Sequence, residues 1–146
     1  MRNRHFGREL ALTTLYALDF NGDLVQGVIP GDFPAMSEEE TIELNPEAVL
    51  FARFLLAGTL EHLDEIDDWI SRFSINRPLD RIDIIDRNIL RISVFSMLYV
   101  RDIHSNVVIT EAVQLSQEYS REVNYKFING ILDSMRKEIN DYVKEP

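Results

Sequence analysis

The sequence contains no cysteine, which excludes disulfides, thiolate catalysis, iron–sulfur clusters and cysteine-based zinc sites. It has no apolar run near the roughly 18 residues that a membrane span needs. Its first residues also lack the apolar core that a signal peptide carries. The sequence therefore predicts a cytoplasmic protein without a membrane anchor.

Histidine is also scarce, and the pattern does not resemble that of a metal site. The three histidines are His5, His62 and His104, and none has a second histidine at ligand spacing. The sequence shows no glycine-rich phosphate loop and no nucleophile-elbow motif. We therefore expect no metal, no cofactor, no catalytic residue and no enzymatic activity.

Basic residues are outnumbered, since 15 Lys and Arg stand against 25 Asp and Glu for a formal net charge of −10. This balance disfavours nucleic acid as a partner, because phosphate binding depends mainly on clustered basic side chains. The distribution of the basic residues along the chain, however, favours nucleic acid as a partner. Arg2, Arg4 and Arg8 lie within the first eight residues, with no acid among them. Arginine is also the better basic residue for bidentate phosphate contacts and for stacking on bases.

Apolar residues, in contrast, are abundant and recur at helical spacing. They make up 45% of the 146 residues, which suits one globular domain spanning residues 1–146. No segment shows the clean two-residue alternation of a strand, so the sequence predicts an all-α fold, a compact helical bundle. Residues 80–100 are apolar on nearly all sides, which is typical of a central helix.

Capping residues, proline and glycine indicate where the other helices begin and end. Helices are predicted over residues 3–20, 46–73, 80–100, 107–119 and 125–143, with a weaker acidic helix near 37–43. Pro46 suits a first helical turn, and Gly58 is expected to bend or end the helix that follows. Ser105 or Asn106 is the expected cap of the 107–119 helix, and Asn124 that of the last helix.

Acidic residues recur every three positions at the start of the 80–100 helix, as Asp80, Asp83 and Asp86. Grouped carboxylates can bind a metal or carry out acid–base chemistry. Here Arg81 and Arg87 are interleaved with them. The preferred interpretation is therefore local ion pairing on a helix surface.

The start of the first helix is a candidate binding site. Arg4 and Arg8 share one helix face, and Tyr16 lies two turns further on. Basic side chains, a helix start and an exposed aromatic ring together suit single-stranded nucleic acid. The alternative is a frayed, charged terminus without a binding role.

The last helix carries a Phe-Ile-Asn-Gly motif that packing explains only in part. Asn129 and Gly130 each cost roughly 0.5 to 1 kcal/mol in a helix interior. We expect Gly130 to allow the close approach of a neighbouring helix. Phe127 lies beside the buried stripe and is expected to be partly exposed. The predicted stripe is Ile128, Ile131, Leu132, Met135, Ile139 and Tyr142.

Motifs along nearly the whole chain resemble the NusB family of bacterial transcription antitermination factors. These motifs are RELALTTLY (8–16), the segment 51–70, DRNILRISVF (86–95), VITEAV (108–113) and FINGILD (127–133). The resemblance implies about seven helices in two small sub-bundles. It also implies that the protein binds the boxA element of nascent RNA together with the ribosomal protein NusE. In that role it joins the RNA polymerase antitermination complex and promotes read-through in ribosomal RNA operons.

The resemblance also implies which residues contact RNA. In the family these are the arginine-rich amino terminus, a tyrosine of the first helix and the Phe of the Phe-x-Asn-Gly motif. The predicted RNA-binding residues are Arg2, Arg4, His5, Arg8, Tyr16 and Phe127. Some family members dimerise, so a homodimer is one of the states to expect.

Two other functions fit the same fold. One is a protein–protein scaffold that binds NusE or itself but hardly binds RNA, and the net charge of −10 favours it. The other is an RNA methyltransferase with a NusB-like amino-terminal domain. We expect that function less, because the sequence has no cofactor-binding segment after the helices.

Overall fold

The computed structural model describes residues 2–27 and 46–144, and within these stretches every regular element is helical. The α-helices are α1 (Arg2–Phe20), α2 (Pro46–Glu61), α3 (Leu63–Phe73), α4 (Ile84–Tyr99), α5 (Ser105–Tyr119) and α6 (Asn124–Lys144), with a 3-10 turn over Leu79–Arg81. The all-α prediction is confirmed, and the helix count is close to seven. The acidic helix predicted near 37–43 lies outside the described residues.

Helix α4 is the centre of the packing. It contacts α1, α2, α3, α5 and α6, and every residue from Asn88 to Leu98 is buried. A helix with apolar side chains on all faces can bury them only against several neighbours. The prediction of a central helix is confirmed. None of the helices in the described stretches is long and apolar enough to cross a membrane.

The break between α2 and α3 differs from the prediction. Gly58 lies inside α2, and the chain breaks at His62 instead. A Cβ built on Gly58 would lie 2.1 Å from Cζ of Phe95, far inside contact distance. The glycine therefore does not end the helix but lets α2 approach α4 closely.

The cap of α5 also differs from the prediction. The helix begins at Ser105, and the side chain of the preceding residue, His104, accepts a hydrogen bond from the backbone N–H of Asn106 at 3.1 Å. The expectation that Ser105 or Asn106 would cap this helix was wrong. An imidazole nitrogen takes the acceptor role that a hydroxyl or amide oxygen usually fills.

The interpretation of the aspartates near 80–86 as local ion pairs was wrong for Arg87 and Asp86. Arg87 donates two hydrogen bonds to Asp19 of α1, at 2.7 and 2.8 Å. Asp86 is fully buried, and its carboxylate accepts a hydrogen bond of 2.7 Å from Asn124. Burial raises the pKa of Asp86 above its ordinary value. These charges therefore join separate helices.

The last helix confirms some expectations and corrects others. Five of the six predicted stripe residues are buried, but Tyr142 is 56% exposed and lies edge-on to Trp69. Phe127 is partly buried, as expected. Gly130 is exposed, with no atom within 4 Å of a Cβ built on it, so the predicted close helix contact does not exist.

Candidate nucleic-acid interface

The start of α1 packs on α2 through a glycine–aromatic contact. Gly7 is buried, and a Cβ built there would lie 2.7 Å from Cδ2 of Phe51. The guanidinium carbons of Arg4 and Arg8 lie 4.9 and 5.3 Å from the centre of the same ring. One aromatic ring therefore holds both arginines by cation–π contact, which confirms that they share a face.

The two arginines differ in exposure. Arg4 is exposed, whereas Arg8 is only 6% exposed and lies 3.4 Å from Glu111 of α5. Burial lowers the pKa of Arg8, although the nearby Glu111 carboxylate opposes that shift. The side chain of Arg4 is thus open to solvent, whereas Arg8 ties α1 to α5. The side chain of Arg2 lies outside the described residues.

His5 is surrounded by carboxylates from two helices. Its Nε2 lies 3.1 Å from Glu118 and 3.7 Å from Glu9, and its Nδ1 lies 3.4 Å from Glu111. Glu111 is 106 residues away in sequence. Glu9 follows His5 by one helical turn, but no local pattern in the sequence signals that Glu111 and Glu118 join them.

Tyr16 lies near the end of α1 at the edge of a groove. Its ring is half-buried and stacks on Phe20, with the ring centres 5.8 Å apart. The groove has a volume of about 710 Å³ and lies between the ends of α1 and α5 and the start of α4. The charged residues lining it are Asp80, Arg81, Asp83, Arg87 and Arg121.

Tyr119 of α5 lines the same groove and was not singled out in the sequence. Its hydroxyl donates a 2.5 Å hydrogen bond to Glu9. Burial and this hydrogen bond raise the pKa of Tyr119 above its ordinary value, so it stays protonated. Tyr119 therefore connects the groove around Tyr16 to the carboxylates around His5.

Phe127 of α6 adjoins this region. The guanidinium carbon of Arg77 lies 4.6 Å from the centre of its ring. Asn124, one turn earlier, donates a 2.9 Å hydrogen bond to Asp83, which lines the groove. Arg77 immediately precedes Pro78 in the sequence. The structure makes it an exposed cation stacked on the aromatic ring.

We call this surface the α1–α5 face: it runs from Arg4 and His5 along α1 to Tyr16, across Tyr119, and on to Phe127. The surface combines exposed arginines with partly buried aromatic rings, a combination that suits a single strand with stacked bases. Its exposed arginines are Arg4, Arg77, Arg81 and Arg121. Nearby acids limit how many phosphates it can neutralise.

Residues 6–137 match the model of the NusB family. The chain belongs to the NusB family. The transcription antitermination protein NusB of Myxococcus xanthus (strain DK1622) is 40% identical over 140 residues, covering 96% of this chain and 99% of that protein. The NusB protein of Bacillus subtilis (strain 168) is 36% identical over 136 residues, covering 93% of this chain and 96% of that protein.

Solved NusB structures have the same fold. T. maritima NusB superposes with a TM-score of 0.78 at 32% identity, covering 92% of this chain and 91% of that one. A chain from the crystal structure of antitermination factors NusB and NusE with double-stranded RNA gives a TM-score of 0.79 at 29% identity. That match covers 94% of this chain and 98% of the other. The resemblance identified from sequence motifs is confirmed, and the NusB family is one of transcription antitermination factors rather than enzymes.

Proposed function

We propose that this protein binds single-stranded, boxA-type RNA together with NusE and so promotes read-through by RNA polymerase in ribosomal RNA operons. The observation that carries the proposal is the similarity to the NusB of a NusB–NusE–RNA complex, at 29% identity over 94% of this chain. The α1–α5 face supports it, because that face combines arginines with aromatic rings. A scaffold that binds only other proteins needs no such combination of arginines and aromatic rings.

The residues of the face would have distinct roles. Arg2 and Arg4 would contact phosphate, and Tyr16 and Phe127 would stack on bases. Stacking on an aromatic ring contributes roughly 1 to 3 kcal/mol per base. Arg8 acts indirectly, because its contacts with Phe51 and Glu111 hold the start of α1 in place. His5 lies at the margin of the RNA path, held by its carboxylate neighbours.

Charge limits what the protein does alone. Single-strand binding loses affinity with salt with a slope of about −0.7 per phosphate contact, so three or four contacts predict a slope of about −2 to −3. NusE, a ribosomal protein, would add positive charge to the shared RNA path. We therefore expect NusE to tighten boxA binding at least tenfold, about 1.4 kcal/mol, and to steepen the salt slope.

Fluorescence anisotropy can test the proposal with labelled boxA RNA and a scrambled RNA of the same composition, each titrated with and without NusE across a salt series. We expect weak binding by the protein alone, a preference for boxA, and tighter binding with NusE. Sedimentation of the free protein would show in parallel whether it forms a homodimer. Equal affinity for the two RNAs, or no effect of NusE on RNA affinity, would count against the RNA role.

A scaffold function is the second candidate, and one observation favours it. The side chains of His5 and Arg8, both predicted RNA contacts, are already engaged by glutamates. A protein of this kind would bind NusE but leave boxA RNA unbound in the titrations. NusE binding without RNA binding is therefore the result that distinguishes the scaffold from the antitermination factor.

A further inference from the structure

His5, Glu9 and Glu118, here called the His5 cluster, place two carboxylates at one ring nitrogen. Nε2 of His5 lies 3.1 Å from Oε1 of Glu118 and 3.7 Å from Oε1 of Glu9. One ligand atom from each of the three residues lies within 4.8 Å of the other two. Ligand atoms about 2.1 Å from a tetrahedral zinc ion lie about 3.4 Å from one another. The two distances from Nε2 lie on either side of that value, and all three ligand atoms lie within 4.8 Å of one another, so rotation of the side chains could bring them to it.

The surroundings of His62 show that two carboxylates at one ring nitrogen are not a general feature of histidines in this acidic chain. His62 also has two glutamates nearby, but Glu61 approaches Nε2 at 4.0 Å and Glu65 approaches Nδ1 at 3.8 Å. Carboxylates at opposite nitrogens cannot share an ion with a single imidazole lone pair. At His5, by contrast, both carboxylates lie on the same side of the ring.

The groups around the cluster are those that orient metal ligands. Nδ1 of His5 lies 3.4 Å from Oε2 of Glu111, which can fix the tautomer that leaves Nε2 unprotonated. The hydroxyl of Tyr119 donates to Oε2 of Glu9, the oxygen not facing His5, at 2.5 Å. Arg8 lies 3.4 Å from the other oxygen of Glu111. His5 and Glu9 are therefore each held by a residue that is not one of the three ligands.

We propose that His5, Glu9 and Glu118 bind one divalent transition-metal ion, with zinc as the preferred ion, between α1 and α5. An imidazole nitrogen with two carboxylate oxygens suits zinc and its first-row neighbours better than magnesium, which prefers oxygen alone. Three protein ligands leave a fourth position for water or a phosphate oxygen. Solvent reaches the cluster, since the side chains of His5 and Glu9 are each 21% exposed and that of Glu118 is 40% exposed. The inference is independent of RNA binding.

Zinc binding by the protein alone, without RNA or NusE, tests the site directly. We would titrate zinc in competition with a chromophoric chelator and record the visible absorption of bound cobalt. The expected result is one zinc ion per chain, with His5→Gln and Glu118→Gln each weakening binding at least tenfold. The matched controls are His62→Gln and Glu122→Gln, which remove a histidine and an exposed carboxylate elsewhere and should bind zinc like the wild type.

Thermal unfolding gives a second readout. Zinc at about 100 times its dissociation constant should raise the melting temperature of the wild type by roughly 5 to 10 °C. His5→Gln should show no such rise, while its circular dichroism without zinc stays that of a folded helical protein. The proposal is overturned if the wild type binds no zinc at micromolar concentration, or if His5→Gln binds it equally well. In either case the cluster is a set of ion pairs only.

Discussion

The ring of Phe95 lies directly on the backbone of Gly58. A Cβ on the glycine would lie 2.1 Å from Cζ of that ring, and Phe95 itself is only 3% exposed. The ring cannot move away easily, because it lies edge-on to Phe54 at 5.6 Å and stacks on His62 at 6.4 Å. The missing side chain at position 58 is thus what allows α2 and α4 to meet.

Gly58→Ala should destabilise the protein by about 1 to 3 kcal/mol, because the added methyl group overpacks this contact. The gain in helix propensity from alanine, up to about 1 kcal/mol, is too small to offset it. Denaturant unfolding of the variant and the wild type measures the difference. An unchanged or higher midpoint would mean that the Phe95 ring can relax without cost.

Gly130→Ala provides the matched comparison, because it makes the same substitution at an exposed helical position. With no atom within 4 Å of the new Cβ, we expect a gain of about 0.5 to 1 kcal/mol. The same denaturation experiment measures it. A loss of stability would instead support the close helix contact that the sequence predicted at Gly130.

Asp19 should be a strong determinant of stability, because it joins α1 to α4. It accepts hydrogen bonds from Arg87, Asn88 and Arg91 at 2.7 to 2.9 Å. Removing its charge leaves the largely buried Arg87 without its carboxylate partner, whereas Arg91 keeps Asp67 at 2.9 Å. Breaking a buried ion pair in this way typically costs about 3 to 5 kcal/mol. Asp19→Asn should therefore lower the unfolding free energy by that amount, while the exposed Asp23→Asn changes it by less than about 0.5 kcal/mol.

The Asp19 contribution should also depend on pH. Burial by itself raises the pKa of Asp19, but hydrogen bonds from Arg87 and Asn88, together with the charge of Arg91, hold that pKa below its ordinary value. The contribution is therefore complete above the unfolded-state pKa of about 3.9 and is lost as pH falls through the lower folded-state pKa. Unfolding measured from pH 7 to pH 2 should show the gap between wild type and Asp19→Asn narrowing only at the acidic end.

Arg4→Gln should weaken boxA binding severalfold and make the salt slope less steep by about 0.7, because one phosphate contact is lost. Folding should be unaffected, since Arg4 is exposed. Arg72→Gln is the control, because the Arg72 guanidinium stacks on Trp69 at 4.8 Å much as that of Arg4 stacks on Phe51 at 4.9 Å. Equal losses in the two variants would show a general charge effect rather than a site on the α1–α5 face.

Phe127→Ala should lower RNA affinity by about 1 to 3 kcal/mol, the range for one stacked base, with little change in the salt slope. Tyr142→Ala removes an exposed ring from the other end of α6 and should leave RNA binding unchanged. Anisotropy titrations at two salt concentrations measure the RNA affinity and the salt slope separately. Wild-type affinity in Phe127→Ala would remove this ring from the proposed RNA path.

The sequence by itself was enough to locate most of the helices, the central position of α4 and the NusB family. Helical periodicity is local, because side chains three and four residues apart share a face whatever the rest of the chain does. The spacing of apolar residues over 80–100 therefore predicted burial on all sides without any knowledge of the neighbours. Arg4 and Arg8 were placed on one face by the same reasoning.

Only the tertiary structure decided which side chains meet. Gly58 and Gly130 are both glycines inside helices, yet one lies under a buried ring and the other faces solvent. Arg87 has aspartates beside it in sequence but pairs with Asp19, 68 residues away. The carboxylates around His5 come together in the same way, from α1 and from α5, whose Glu111 is 106 residues away in sequence. Such contacts depend on which helix faces pack together, and a local pattern carries no information about a partner on another helix.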